Sequence, residues 1–329
     1  MLPYLLRRIF YAIPILIGVN LITFALFFVV NSPTDMARMH LGSKHVTEQA
    51  VARWKEQHGY DLPLFYNPSV NGFDKLTQTL FYQKSLLLFK FDFGQSIQGR
   101  NVGRDISERM WPSLAMALPT FIIGLIINIT LALFIVLFRA TTFDTIAMVT
   151  CVVMMSISGL FYIIFGQYLF GKMLQWVPIS GYQTGWSSIK FVVLPVINGV
   201  VSGIGAGTRW YRTIFLEEMH KDYVRTARSK GLSELKVLYK HVLKNALLPI
   251  LTGVVVIIPS LFLGSLIMES FFGIPGLGSY TIEAIQSQDF NIVRVMVFLG
   301  TLLYIIGLIL TDISYTLVDP RVRLGGQLK

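Results

Sequence analysis

Six runs of almost uninterrupted apolar residues, each close to the length a bilayer demands, constrain this chain more than any other feature. An α-helix rises about 1.5 Å per residue and the hydrocarbon layer is about 30 Å thick, so one span takes about 20 residues. The runs fall at 9–30, 114–138, 143–170, 191–206, 247–268 and 292–310. The fourth is short and is interrupted by Pro195, Gly199, Gly203, Gly205 and Gly207. We read it as a helix whose small residues let its neighbours pack closely. Composition agrees with spans: 53% of the 329 residues are hydrophobic and 14% are charged, against about 25% charged in soluble domains. A soluble domain this apolar could not cover its surface. The expected fold is all-α, a polytopic membrane protein with six transmembrane helices.

Sidedness follows from the basic residues of the short loops. The stretch 208–246 carries nine Lys and Arg, whereas 271–291 carries none. Arg7 and Arg8 precede the first run, and Arg321, Arg323 and Lys329 follow the last. Both termini and the 208–247 loop are therefore expected in the cytoplasm, with 31–112 outside. That outer stretch holds ten basic residues, but at 82 residues it is too long for the rule to apply. Its turn signals, Asn67-Pro68 and Asn71-Gly72, suit a small, partly helical cap. A secretory signal would also begin with basic residues, but its apolar core is about 7–15 residues long. The first run has 22, so 1–30 is expected to be a retained anchor. The expected organisation is 1–30, the outer segment 31–112, a five-helix core 113–313 and a tail 314–329.

The net charge of +10 belongs to those loops and gives no reason to expect nucleic-acid binding. The sole cysteine, Cys151, lies within an apolar run, so neither an intrachain disulfide nor a cysteine metal site is available. The five histidines, His40, His45, His58, His220 and His241, form no helical ligand pair; His40 and His45 come nearest and read as surface residues. The stretch from Gly166 through Gly171-Lys172-Met173 nearly fits a phosphate-binding loop, but Met173 stands where the magnesium-binding hydroxyl belongs. From Gly203 to Gly207 the dinucleotide spacing is absent. No metalloprotease or serine-hydrolase motif is present. A membrane enzyme therefore lacks a catalytic constellation, and no metal or cofactor is expected on this chain.

The region 208–249 is more informative. Asp222 is placed to cap a helix over 223–230, Gly231 to end it, and Ser233 to open a second helix running to about 247, before Pro249. Val224, Ala227 and Gly231 share one face of the short helix, with Arg225 and Arg228 away from it. Such a narrow ridge suits insertion into a groove on another protein. Lys236, Lys240 and Lys244 recur every four residues and make a basic stripe suited to anionic lipid headgroups or to a partner surface.

The run from Asp222-Tyr-Val-Arg-Thr-Ala-Arg-Ser-Lys-Gly231 to His241-Val-Leu-Lys-Asn-Ala-Leu-Leu-Pro249 resembles the EAA loop of bacterial ABC importer permeases of the oligopeptide, dipeptide and nickel branch. Four further stretches agree in order: Tyr4 to Arg8, Phe91-Asp-Phe-Gly-Gln-Ser96, Met268 to Gly278 with Gln288-Asp289-Phe290, and Asp312 to Arg321. The resemblance covers essentially the whole chain. At the loop's name residues Arg225-Thr226-Ala227 stands in place of Glu-Ala-Ala. The resemblance implies a permease that pairs with a second, homologous permease to form the translocation path. It implies two cytoplasmic ATPase subunits that carry ATP and magnesium, and a periplasmic binding protein that delivers peptides. By the same resemblance Tyr223, Val224, Arg225, Thr226, Ala227, Arg228, Lys230 and Gly231 form the coupling helix. Tryptophan at Ala227 or Gly231 is then expected to block docking.

Charges near the spans add two expectations. Glu269 is placed at the outer end of the fifth helix and Asp312 at the inner end of the sixth, both near interfaces where burial costs little. Glu269 with Gly273, Pro275, Gly276 and Gly278 is a candidate outer gate. Otherwise the spans offer weak polar groups: Asn20, Thr23, Asn128, Ser156, Ser158, Gln167 and Asn198. The rival reading is an ATP-independent channel or secondary transporter, which would ordinarily keep an ionisable group in mid-span; no Lys or Glu lies at the centre of spans two to six.

Overall fold

A computed structural model describes residues 2–42 and 46–318; His45 and the basic residues of the tail lie outside them. Every regular element among the described residues is helical. In chain order the α-helices are α1 (Leu2–Phe24), which continues as a π-helical turn (Ala25–Val30), α2 (Pro33–Leu41), α3 (Glu48–Gln57), α4 (Asp74–Thr77) and α5 (Leu80–Lys84). Next come α6 (Val102–Leu137), α7 (Thr142–Ser156), α8 (Gly159–Gly166), α9 (Ser188–Met219) and α10 (Asp222–Ser229). The chain ends with α11 (Glu234–Val237), α12 (Leu243–Ile257), α13 (Leu266–Phe272), α14 (Leu277–Gln286) and α15 (Phe290–Val318).

Among the described residues five helical stretches are long and apolar enough to cross a bilayer: Arg7–Val30, Val102–Leu137, Gly185–Met219, Glu234–Leu263 and Phe290–Ser314. The third apolar run becomes a sixth only as a broken pair, because α7 and the α8 stretch meet at an 86° bend. The break is local chemistry. Ile157 is extended, and the Met154 carbonyl accepts from the Ile157 N–H at 3.4 Å and from the Tyr162 hydroxyl at 2.9 Å.

The fourth run, the weakest in sequence, is part of a 32-residue helix. Its glycines allow close packing. A Cβ at Gly205 would sit 2.6 Å from the Cys151 carbonyl, and one at Gly207 2.5 Å from the Asn128 amide. α9 also runs on to Met219, so at about 48 Å it outreaches the hydrocarbon layer, and the expected loop starting at 208 begins inside a helix. Likewise α6 starts at Val102, within the expected outer segment. Pro249 does not end the helix after Ser233 but lies inside α12.

By packing, the chain forms two compact units, Met1–Glu108 with Thr281–Ile305, and Arg109–Tyr280 with Ile306–Lys329. The first half of α15 thus groups with the N-terminal part rather than with the expected 113–313 core. In the first unit Phe24 of α1 and Phe28 of the π-helical turn after it pack with Met36, Val51, Trp54, Tyr60 and Leu80. The helices of this cap start where side chains can hold free amides: Ser32, Thr47 and Thr79 accept from the N–H groups of Asp35, Ala50 and Tyr82 at 3.2–3.3 Å. Two motifs far apart in sequence meet here. Asn291 donates to the carbonyls of Phe93 and Gln95 at 3.2 and 2.8 Å.

In the second unit one apolar cluster joins Met116, Ile163, Leu194, Val200, Phe272 and Ile274. Another joins Leu133 and Val136 of α6, Phe215 and Met219 of α9, and Val237, Leu238, Val242 and Ile250 of the next span. Asp144 in the first turn of α7 forms a forked ion pair with Arg212 of α9, at 3.0 and 2.7 Å, and accepts from the Ala140 N–H at 3.2 Å.

Candidate functional site

The helix α10 lies between two spanning stretches, two residues after α9 ends and four before α11 begins. Its first helical residue is Asp222, one earlier than expected, and the cap position belongs to Lys221. Gly231 ends it with a φ of +75°, the left-handed conformation that favours glycine, as the sequence indicated.

The exposed face of α10 is the reverse of the expected one. Val224 is fully buried and Ala227 is 3% exposed, both inside the cluster formed by α6, α9 and the 234–263 stretch. They cannot be a ridge that enters a partner's groove. The physical reason is that an eight-residue helix has too little internal hydrogen bonding to stand alone and is held by its apolar stripe. What remains outward is Asp222, Arg225, Thr226, Ser229, Lys230 and Gly231.

Polar contacts tie α10 to both neighbours. The Tyr223 hydroxyl donates to the Glu218 carboxylate of α9; burial first, and that carboxylate second, push its pKa above the ordinary phenol value. Arg228 pairs with Glu234 at 2.8 Å. The stripe of Lys236, Lys240 and Lys244 is exposed.

The segment 264–280 forms a second constellation. The helix from Glu234 ends at Leu263, and Gly264, with φ +67°, turns the chain into the separate helix α13. Glu269 therefore stands beyond the fifth span rather than at its end, and its side chain is fully buried within the chain. Its carboxylate accepts from the backbone N–H groups of Ser265 and Ser279 at 3.2 and 3.0 Å. A Cβ at Gly264 or Gly276 would collide with that carboxylate, so the cradle requires glycine at both positions. Burial pushes the Glu269 pKa up, opposed by these hydrogen bonds. Ser113 of α6 accepts from the Leu277 N–H at 2.8 Å, and Arg109 stacks on the Tyr280 ring at 4.7 Å. Gly276 and Gly278 are buried here, whereas Gly273 (φ +63°) and Pro275 are exposed. Asp312 lies in the last turns of α15, partly buried, near the end of the sixth span as expected.

Beside this loop is a cavity of about 640 Å³, within the range of small-ligand sites. Its polar groups come from Thr120, Ser158, Asn198, Ser202, Ser260 and Ser265. Asn198 is 5% exposed, and its Nδ2 has no hydrogen-bond partner among the described residues. A second cavity of about 640 Å³ shares Thr120, Phe121 and Gly199 with the first.

Other weak polar groups serve the fold instead. Asn128 accepts from Thr208 at 3.0 Å, Asn20 donates to the Ser85 carbonyl at 2.9 Å, and Gln167 donates to the carbonyls of Ile179 and Phe271 at 3.1 and 3.0 Å. The sequence reading missed the Asp144–Arg212 pair and the buried Arg294. Their only sequence signal was a charge inside or beside an apolar run.

Comparison with known proteins covers most of the chain. Residues 128–324 match the binding-protein-dependent transport system inner membrane component, and residues 1–83 match the N-terminal part of such membrane components. A Brucella abortus (strain 2308) protein provisionally named a peptide transport system permease is 34% identical, over 98% of this chain and 99% of its own length. The dipeptide transport system permease protein DppB of Bacillus subtilis (strain 168) is 30% identical over 98% and 99%. The oligopeptide transport system permease protein AppB of the same organism is 28% identical over 98% and 100%. With its apolar helices and a family match over more than half its length, this chain belongs to the inner membrane components of binding-protein-dependent transport systems, as a multi-pass subunit.

Proposed function

We propose that this chain is the permease subunit of an ATP-driven importer of di- or oligopeptides. It pairs with a second, homologous permease, receives peptides from a periplasmic binding protein and is driven by two ATPase subunits. ATP and magnesium reside on those subunits, and this chain carries no cofactor. Both termini and the α10 region face the cytoplasm, and the Lys236–Lys240–Lys244 stripe lies against anionic headgroups.

The observation that carries this reading is the seating of α10. Val224 and Ala227 lock it into a core shared with α6, α9 and the 234–263 stretch, while Arg225, Thr226 and Lys230 face outward. A push on that outward face moves α9 and the 234–263 stretch as one body, the element that alternating access needs. The cavity lined by Asn198 belongs to the path on this chain, and the buried Asn198 amide, unpaired among the described residues, is the donor it offers to a peptide carbonyl. Glu269 serves the outer gate by holding the shape of 264–279, not by meeting the substrate.

Purification of the tagged chain from its native membrane in mild detergent tests the assembly. A second permease and an ATPase should co-purify, and Arg225→Glu should lose the ATPase while keeping the permease. Recovery of the chain only alone or as a homo-oligomer, under conditions that preserve other importers, would overturn the reading.

A further inference from the structure

We propose that the outer cap carries a carboxylate-binding pocket built on Lys84, with the buried Arg294 behind it. The pocket is a cavity of about 490 Å³ lined by Gln57, His58, Tyr60, Lys84 and the loop 95–99. The Lys84 ammonium donates to the His58 carbonyl at 3.3 Å and lies 4.8 Å from the centre of the Tyr60 ring. Behind it is Arg294, 1% exposed, packed 5.0 Å from the centre of the Phe28 ring. Its Nη2 donates to the Lys84 carbonyl and, at 3.5 Å, to Asn291 Oδ1. Its Nε and Nη1 have no hydrogen-bond partner among the described residues.

The charges here do not balance. The carboxylate that acts on Lys84 is Asp289, 4% exposed, and both of its oxygens are already engaged by backbone amides, Oδ2 with Ile97 at 2.7 Å and Oδ1 with Ile292 at 3.3 Å. Lys84, partly buried, and Arg294, fully buried, therefore lie together with one committed carboxylate beside Lys84. A buried charge without compensation is strongly disfavoured. Burial and Arg294 together lower the Lys84 pKa to about 8, which is the same tension expressed on the lysine.

A single negative charge relieves it. The neutral amides of Gln57, Gln95 and Gln98 offer further donors to a flat, monovalent group. The ligand chemistry is therefore a carboxylate rather than a phosphate dianion. It comes from the C-terminus of an incoming peptide or from an acidic side chain of the delivering binding protein. This choice of sources rests on the importer reading.

The test is acetylation of Lys84 at pH 8 in the full assembly in lipid nanodiscs, quantified by mass spectrometry. The probes are the dipeptide Ala-Ala, its C-terminal amide and the ligand-free binding protein. Protection by Ala-Ala of about tenfold but not by the amide assigns the pocket to substrate. Protection by the binding protein alone assigns it to docking. Equal protection by acid and amide, or none from any probe, overturns the proposal. In proteoliposomes Lys84→Met should lower import about tenfold and Lys84→Arg should restore it; import by Lys84→Met equal to the parent's counts against the pocket. Failure of the parent itself to import any peptide would sink the importer reading, and the labelling result stands apart from that.

Discussion

Asp289 and Ile97 lie 192 residues apart in the sequence and are joined by one 2.7 Å hydrogen bond from the Ile97 amide to Oδ2 of the carboxylate. The same side chain accepts from Ile292 through Oδ1, at the first turn of α15. One residue thus ties the loop before α6 to the start of the last helix. Asp289→Ala leaves two backbone donors without that acceptor, each costing about 1–3 kcal/mol. Hydrogen exchange at Ile97 and Ile292 should rise, and the unfolding temperature in detergent should fall. Unchanged exchange at Ile97 would refute the tie.

The Asp144–Arg212 pair makes a second prediction. The two side chains are 11% and 19% exposed, so removing one leaves a largely buried charge. Asp144→Asn should destabilise by about 3 kcal/mol, and the double variant Asp144→Asn with Arg212→Met should recover part of the loss. Thermal unfolding of the purified variants measures both; additive losses would show that the pair is not coupled.

The orientation of α10 separates folding from coupling. Ala227→Trp forces a large ring into a filled core and should cost about 1–3 kcal/mol or prevent folding. Arg225→Glu changes only the outward face, so the amount of folded protein should hold while substrate-stimulated ATP hydrolysis falls. Gly231→Ala meets no atom within 4 Å, yet it places a Cβ at φ +75°, a strain of about 1–2 kcal/mol. Fluorescence size-exclusion chromatography beside ATPase assays distinguishes the three. A well-folded Ala227→Trp chain that has lost its ATPase would restore Ala227 to the docking face.

Glu269 carries a pH signature. Burial raises its folded pKa above the unfolded value. The folded chain then holds the proton more tightly. The favourable contribution is complete below the unfolded pKa of about 4.3 and is lost as pH rises through the higher folded value. Glu269→Gln removes this titration, so the difference in unfolding temperature between parent and variant should change with pH across that window. A constant difference would show that the group does not titrate there.

Asn198 offers a prediction for the path. Asn198→Leu removes the buried donor while keeping the volume, so peptide import should drop about tenfold with folding intact. Import at the parental rate would place the path elsewhere.

Much of the architecture was legible in the sequence because hydrophobic length and glycine chemistry are local properties. The apolar runs that become spans and the punctuation at Gly231 follow from residues near one another, whereas the start of α6 at Val102, inside the expected outer segment, does not. The broken third span was not legible: the run stays largely apolar through the 86° bend at Ile157 and Ser158, across which the Tyr162 hydroxyl reaches back to Met154.

For the functional elements the division is similar. The sequence by itself determined that a short capped helix joins two spans and that the chain is a membrane component. Only the tertiary structure decided which face of that helix is outward, because Val224 and Ala227 are buried by Phe215, Met219 and Leu238, which come from other helices. Only the tertiary structure decided that Glu269 is buried in a cradle of Gly264 and Gly276, and that Lys84 and Arg294 lie together. Periodicity reports that a stripe exists, whereas burial and charge compensation depend on what distant parts of the chain bring to it.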